Sequence, residues 1–292
     1  MQPNFLVIGA MKSATTTLYH DLAQNPNVCC AEKEAGVYLQ DSTSFQLEGL
    51  DSSKASAIGE ICTSYSMYPD IQGVAERVRN ALGSEVRIVY LVRNPIQRTL
   101  SHHQHFYNWH GAGQMGPDIN LELNNHPQLI NYSKYAMQLE PWVEQFGLSK
   151  LHVIQFENYI ANRLSCLEKL CNFLDVPVQF GTLQEEGANR GDDRRVAGTT
   201  MLKFYHTKMF QRWLRPLTRG PVRWLVRSVF LHRARKVSIA PTRETLNRIR
   251  DAVLPDTMQL QQLLGFSQPM WNLDQTIDKI LDRDASKVVQ SR

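Results

Sequence analysis

Lys12 stands in a short turn between an apolar run, Phe5-Leu-Val-Ile8, and a hydroxyl-rich stretch, Ser13-Ala14-Thr15-Thr16-Thr17. Read as strand, turn and helix, this puts unpaired backbone N–H groups at a helix N-terminus, where the helix dipole also favours an anion. The Lys12 ammonium adds a full positive charge and the threonine hydroxyls add donors. The chemistry that fits is phosphate binding. An ATP-type phosphate loop requires GxxxxGK[ST], and no glycine stands immediately before Lys12. A second anion constellation follows the clearest strand of the chain, Arg87-Ile-Val-Tyr-Leu-Val92. Arg93 lies at that strand's C-terminal edge, where parallel sheets bind ligands, and Ser101 follows eight residues later inside the next helix. An arginine fork suits a phosphate because it donates in a bidentate geometry. Between the two lies Glu32-Lys33-Glu34, which offers two carboxylates for proton transfer. Singly, each has a plain alternative: a solvated lysine beside capping threonines, a strand-end arginine, a solvated charge run. Their joint occurrence carries the phosphate reading.

Together these motifs resemble the sulfotransferases that use 3′-phosphoadenosine 5′-phosphosulfate (PAPS), in their bacterial and glycan-type form. The 5′-phosphosulfate loop of that family reads GxxKxGTT, and this chain departs from it at Ala14, where glycine is usual. Its 3′-phosphate signature is a hydrophobic strand, then R-[DN]-P-x-x-R, then a serine eight residues after the first arginine. Arg93-Asn94-Pro95, Arg98 and Ser101 match it. Lys33 to Leu39 resembles the family segment K-E-x-x-[FY]-[FL], with one residue more between Glu34 and Tyr38, and the resemblance implies Glu34 as general base, with Glu32 as the rival. The resemblance likewise implies that Lys12 stabilises charge developing on the phosphate leaving group, with Lys12, Ser13, Ala14, Thr15, Thr16, Thr17, Arg93 and Ser101 holding the nucleotide. Gly187 to Arg195 resembles the late loop that closes over the nucleotide, which makes Arg190, Arg194 and Arg195 further candidates. Glu60 falls where relatives read GEKTPSY, with Ile61 in place of the lysine. His105 occupies a position that faces the acceptor in relatives. Glu60 either orients groups in the sheet or competes for the base role, and Glu60 and His105 are the candidate acceptor contacts. The acceptor implied is a hydroxyl or amine of a glycan, lipid or small metabolite, with PAPS as co-substrate and no metal. His102-His103-Gln104-His105 has helical spacing, but no carboxylate or cysteine pattern accompanies it.

The elements that must position these residues alternate between β-rich and helical patterns, which points to a mostly parallel sheet with crossover helices. The expected fold is a single α/β domain, similar to P-loop NTPases but with a PAPS-binding loop. Strands are expected over Phe5–Ile8, Ala57–Ile61, Arg87–Val92 and Leu151–Phe156, and helices over about 15–23, 71–82, 95–109, 134–146 and 164–174. Gly111–Pro127 reads as a loop. The domain spans 1–292, with a core over about 4–180, a basic helical extension over about 199–236 and a C-terminal helix over about 242–264.

Hydrophobic residues make up 42% of the chain and charged ones 21%, a globular balance at 292 residues that suits one core. The five cysteines form no CxxC pair, as expected of reduced thiols. Residues 190–243 hold fourteen Lys/Arg against two acids, a net +12 that leaves −8 elsewhere in a chain of net +4. Within it the 203–236 tract interleaves cations and aromatics, which suits an anionic membrane surface or an anionic glycan, or a pair of amphipathic helices packed on the body. No nucleic-acid module accompanies the charge, so no nucleic-acid partner is expected. No run is apolar enough to span a bilayer, and Phe5–Ile8 reads as a strand rather than a signal peptide. A cytoplasmic location follows as the expectation, at most peripheral to a membrane. Two other classes stay open: a P-loop enzyme such as a nucleotide kinase, and a non-catalytic binder of anionic membranes or polyanions.

Overall fold

The computed structural model describes residues 2–40, 55–109, 115–181, 195–197, 231–233 and 239–290. Five strands form one parallel sheet: β1 (Phe5–Gly9), β2 (Val28–Cys30), β3 (Ala57–Ile61), β4 (Arg87–Val92) and β5 (Leu151–Gln155). Their order is β2-β3-β1-β4-β5, so the two strands that carry the phosphate motifs, β1 and β4, are neighbours. β1 and β3 are buried along their whole length. That burial is why these strands read as unbroken apolar runs, since both faces of a parallel sheet are covered.

The two faces have separate cores. Phe5, Val7, Val89 and Leu91 point to one, where Leu18 and Leu22 of α1 (Thr15–Leu22) meet Leu167 and Leu170 of α8 (Arg163–Leu174). Leu6, Ile8, Ile88, Tyr90 and Val92 point to the other, formed with α2 (Val74–Leu82), α3 (Pro95–Trp109) and α6 (Tyr135–Phe146). α9 (Arg243–Leu263) and α10 (Leu273–Gln290) also close over this face through Leu246, Ile249, Leu273 and Ile277. A wholly buried side chain of this size contributes about 1.5–3 kcal/mol, so the sheet and its two layers dominate the stability. Glycine is required within β3, because a Cβ on Gly59 would lie 2.1 Å from the Phe5 ring.

Three tethers fix the layers around the strand ends. Asp21 of α1, wholly buried, accepts from Arg163 Nε at 2.7 Å and from the Tyr159 hydroxyl of α7 (Phe156–Ala161). Asp256 of α9 accepts from the backbone N–H groups of Ala136 (3.0 Å) and Met137 (2.8 Å), capping α6 from a distant part of the chain. Glu157 accepts from Asn94 N–H at 2.8 Å and Trp271 Nε1 at 2.9 Å, while Asn94 Nδ2 donates to Thr276 Oγ1 at 2.8 Å. The C-terminal helix thereby braces the end of β4.

Several elements differ from the sequence expectation. β2 has only three residues, too few for a readable alternation. Much of the expected 111–127 loop is α4 (Ile119–Asn125), and α5 (Gln128–Asn131) follows it. The Asp118 side chain caps α4 by accepting from Asn120 N–H at 2.9 Å, and Ile119 and Leu123 bury one turn apart. The surrounding Asn, Gly and Pro hid that pair. α10 was not expected at all, although Asn272 Oδ1 accepts from Gln275 N–H at 2.9 Å as an N-cap should. β6 (Arg195–Ala197) and β7 (Leu231–Arg233) pair antiparallel. The remainder of the 199–236 extension lies outside the described residues.

Candidate active site

The loop from β1 to α1 folds tightly against β4. Ala10 N–H donates to Leu91 O at 2.7 Å and Ser13 N–H to Ala10 O at 3.2 Å. A Cβ on Gly9 would lie 2.1 Å from Ser66 Oγ, so the loop start has room only for glycine. Lys12 and Ala14 both adopt left-handed backbone, with φ of 74° and 67°. Ala14 stands at the N-cap of α1 without a side-chain cap, which leaves the first-turn amides of Thr15, Thr16 and Thr17 to an outside acceptor. Its methyl is partly buried against the α1–α8 core. Thr15 and Thr17 are buried, and Thr16 is half-buried.

Arg93 reaches this loop from the end of β4. Its Nη1 donates to Lys12 O at 3.1 Å, so two motifs 81 residues apart in the chain become one site. The guanidinium carbon lies 4.6 Å from the Phe156 ring centroid, and Tyr135 Oη both accepts from Arg93 N–H (3.2 Å) and donates to Arg93 O (2.7 Å). Burial lowers the Arg93 pKa from its usual value, with Tyr135 and Glu157 opposing. Among the described residues, Arg93 Nε and Ser13 Oγ are buried polar atoms with no hydrogen-bond partner. Two unsatisfied polar groups at a cationic, amide-lined loop fit an anion better than they fit an apolar core. Ser101 is half-buried on α3, beyond Arg93.

Glu34 lies on the segment between β2 and β3. It too has left-handed backbone (φ 64°), and its N–H donates to Ile61 O at 2.8 Å. Thr63 grips the carboxylate with both its N–H (2.8 Å) and its Oγ1 (3.1 Å), and Lys33 Nζ pairs with Oε1. The Glu34 side chain nevertheless keeps 38% exposure, the open edge that a proton acceptor for a substrate would need. Sequence reasoning missed Thr63; the signal that could have found it is its place two residues past the end of β3.

Glu60 is not placed as an acceptor contact would be. It is wholly buried, and its carboxylate accepts from Gly36 N–H (2.7 Å), Val37 N–H (3.2 Å) and Tyr65 Oη (2.8 Å). The sequence position could not reveal this, because the partners come from a separate loop. His105 is half-buried on α3, its ring 6.3 Å from that of Phe106. His102 is wholly buried: Nδ1 lies 3.3 Å from Arg98 Nη2 and its ring stacks on Tyr132 at 5.5 Å. Burial first, and then the Arg98 charge, hold its pKa well below the usual histidine value. Arg98 itself is spent on the core, donating to Leu129 O and Ser133 Oγ. Among the described residues no group of three or more His, Cys, Asp or Glu could hold a metal ion. Arg190 and Arg194 lie outside the described residues, and Arg195 is described only as backbone in β6.

With this geometry in place, comparison with known proteins is specific. Residues 2–191 match the family model of the sulfotransferase domain. The chain is similar to a bifunctional heparan sulfate N-deacetylase/N-sulfotransferase of Drosophila melanogaster, 26% identical over 208 residues, covering 60% of this chain and 20% of that protein. It is similar also to heparan sulfate glucosamine 3-O-sulfotransferase 5 of Mus musculus, 23% identical over 189 residues, covering 60% of this chain and 54% of that one. The chain thus spans about a fifth and about half of the length of these relatives. In fold it resembles a sulfotransferase from Alicyclobacillus acidocaldarius, with a TM-score of 0.62 at 18% identity, over 92% of this chain and 98% of the other. A match across residues 2–191, on the strands and loops that carry both phosphate motifs, shows that the chain belongs to the sulfotransferase domain family, a family of enzymes.

Proposed function

We propose that this chain transfers a sulfuryl group from PAPS to a hydroxyl or amine of an acceptor. The observation that carries the reading is the Arg93 Nη1 to Lys12 O contact, which joins the two phosphate motifs and leaves Arg93 Nε and Ser13 Oγ unpartnered beside them. The residues fit the nucleotide: Lys12, Ser13, Ala14 and the Thr15, Thr16 and Thr17 amides for the 5′ side, Arg93 and Ser101 for the 3′-phosphate. Arg190, Arg194 and Arg195 stay assigned to nucleotide closure on sequence alone. When bound, PAPS supplies the sulfuryl group, whose S–O bond to phosphate breaks as a bond from the acceptor oxygen or nitrogen to sulfur forms. Lys12 holds its charge beside the departing phosphate oxygen as that oxygen gains the electron pair. Glu34 takes the acceptor proton, with Thr63 orienting its carboxylate.

The heparan sulfate relatives make glycans the first acceptors to screen, with His105 as the candidate contact. An anionic glycan or membrane surface is the partner proposed for the 203–236 tract. No helix of the described residues is long and apolar enough to cross a membrane, and a cytoplasmic location remains our reading of the sequence.

Calorimetry with 3′-phosphoadenosine 5′-phosphate (PAP) tests the reading. The wild type is expected to bind in the micromolar range, and Lys12→Ala and Arg93→Ala to weaken binding by at least tenfold. Glu34→Ala should keep PAP affinity while turnover falls by about 10²–10⁴, the usual contribution of a general base. A preference for ATP would overturn the reading in favour of a nucleotide kinase. No nucleotide binding at all would leave a non-catalytic binder of polyanions or anionic membranes.

A further inference from the structure

Glu60 combines complete burial with a carboxylate whose every contact lies on the way to Glu34. The segment from Glu34 to Tyr38 contains two residues in left-handed backbone, Glu34 (φ 64°) and Gly36 (φ 70°), so local preference does not hold it in place. What holds it is β3 and the turn beyond. Glu34 N–H goes to Ile61 O at 2.8 Å, and Gly36 and Val37 N–H go to Glu60 Oε1 at 2.7 and 3.2 Å. Tyr38 N–H goes to Tyr65 Oη at 3.0 Å, and Tyr65 Oη in turn donates to Glu60 Oε2 at 2.8 Å. Thr63, two residues before Tyr65, takes the Glu34 carboxylate itself. One buried side chain therefore templates the loop of the base and the turn that orients it.

We propose that Glu60 is a positioning residue for sulfuryl transfer, setting the Glu34 carboxylate through the 34–38 loop and the Thr63–Tyr65 turn without touching substrate. This rests on the assignment of Glu34 as base. The role belongs to the hydrogen bonds rather than to the charge. Burial pushes the Glu60 pKa up, the Tyr65, Val37 and Gly36 donors pull it back, and the Glu34 charge pushes it up again. An ionised Glu60 is thus no asset to the fold, and the isosteric amide can still accept both loop amides on its Oε1.

The test compares the wild type, Glu60→Ala, Glu60→Gln and Tyr65→Phe by amide hydrogen exchange, PAP calorimetry and turnover. Turnover is PAP release from PAPS, with N-deacetylated heparosan or water as acceptor. Glu60→Ala should speed exchange across residues 34–38 by at least tenfold. It should lower kcat by about a hundredfold, with the KM for PAPS and the PAP affinity within twofold of wild type. Glu60→Gln should restore slow exchange and most of kcat, and Tyr65→Phe, which removes one of the three donors, should fall between. The proposal is overturned if Glu60→Ala leaves loop exchange and kcat within twofold. It is overturned equally if PAP affinity falls in step with kcat, or if Glu60→Gln matches Glu60→Ala. Should Glu60→Ala not fold, the Gln and Phe variants decide by the same readouts. A wild type that fails to bind PAP would overturn the sulfotransferase reading and the catalytic part of this proposal. Exchange that still depends on Glu60 would then identify which of the two had failed.

Discussion

Replacing Asp21 with alanine removes the tether between α1 and the helices after β5. Its carboxylate has 0% side-chain exposure and its partner Arg163 has 17%, so both are largely withdrawn from water. The Tyr159 hydroxyl, on a wholly buried residue, shares the same acceptor. Alanine at position 21 strands a part-buried guanidinium and a buried hydroxyl together. Breaking a buried pair from one side costs about 3–5 kcal/mol. Arg163 can turn partly to solvent, which places the expected loss near the lower end, about 3 kcal/mol. Against a total stability of about 5–15 kcal/mol this is a large fraction. At about 2 °C per kcal/mol for a chain of this size, Tm should fall by roughly 6 °C. Urea unfolding followed by circular dichroism measures the loss. A double-mutant cycle with Arg163→Ala should show a coupling of at least about 1 kcal/mol, because the two side chains are in direct contact. A loss under 1 kcal/mol, or additive single and double variants, would refute the argument that this pair fastens α1.

Two further outcomes follow from the same geometry. His152 stacks on Phe173 at 5.1 Å, and burial, then the Lys169 charge, lower its pKa to about 4. A histidine that folds neutral but protonates near 6.5 when unfolded contributes stability at neutral pH that is lost as pH falls from 6.5 towards 4. The full effect is about 3 kcal/mol, and His152→Gln should flatten that limb of a urea-midpoint titration; an unchanged slope would show that His152 is solvated. At Ala14, glycine would relieve about 1 kcal/mol of left-handed strain but lose a partly buried methyl and add chain entropy. Ala14→Gly should therefore change stability by less than about 1 kcal/mol and PAP affinity by less than threefold. A gain in affinity of tenfold or more would mean that the methyl does obstruct the phosphate.

How much of this was legible in the sequence depends on whether an interaction was local. The Lys12 loop could be read because strand, turn and helix follow one another within fourteen residues, and helix-end physics makes anion binding the expectation there. Arg93 could be placed at a strand end for the same reason. That the two meet was legible only through the family resemblance, since adjacency of β1 and β4 is a property of strand order. Glu60 marks the boundary from the other side. Its type and position invited an acceptor contact, yet its surroundings are set by a loop 24 residues away and by a tyrosine hydroxyl folded back over it. A motif records which residues are retained together, and a catalytic carboxylate and the buried acid that positions it leave the same mark. Burial separates them. A group that is to meet substrate must keep an open edge, and Glu34 has 38% exposure, whereas a group with three donors and no exposure can act only through the backbone it holds. The same criterion divides the arginines of the 3′-phosphate signature. Arg98, with no exposure, is closed into the core by Leu129 O and Ser133 Oγ, while Arg93, on the loop side of β4, is only partly buried and donates to Lys12 O.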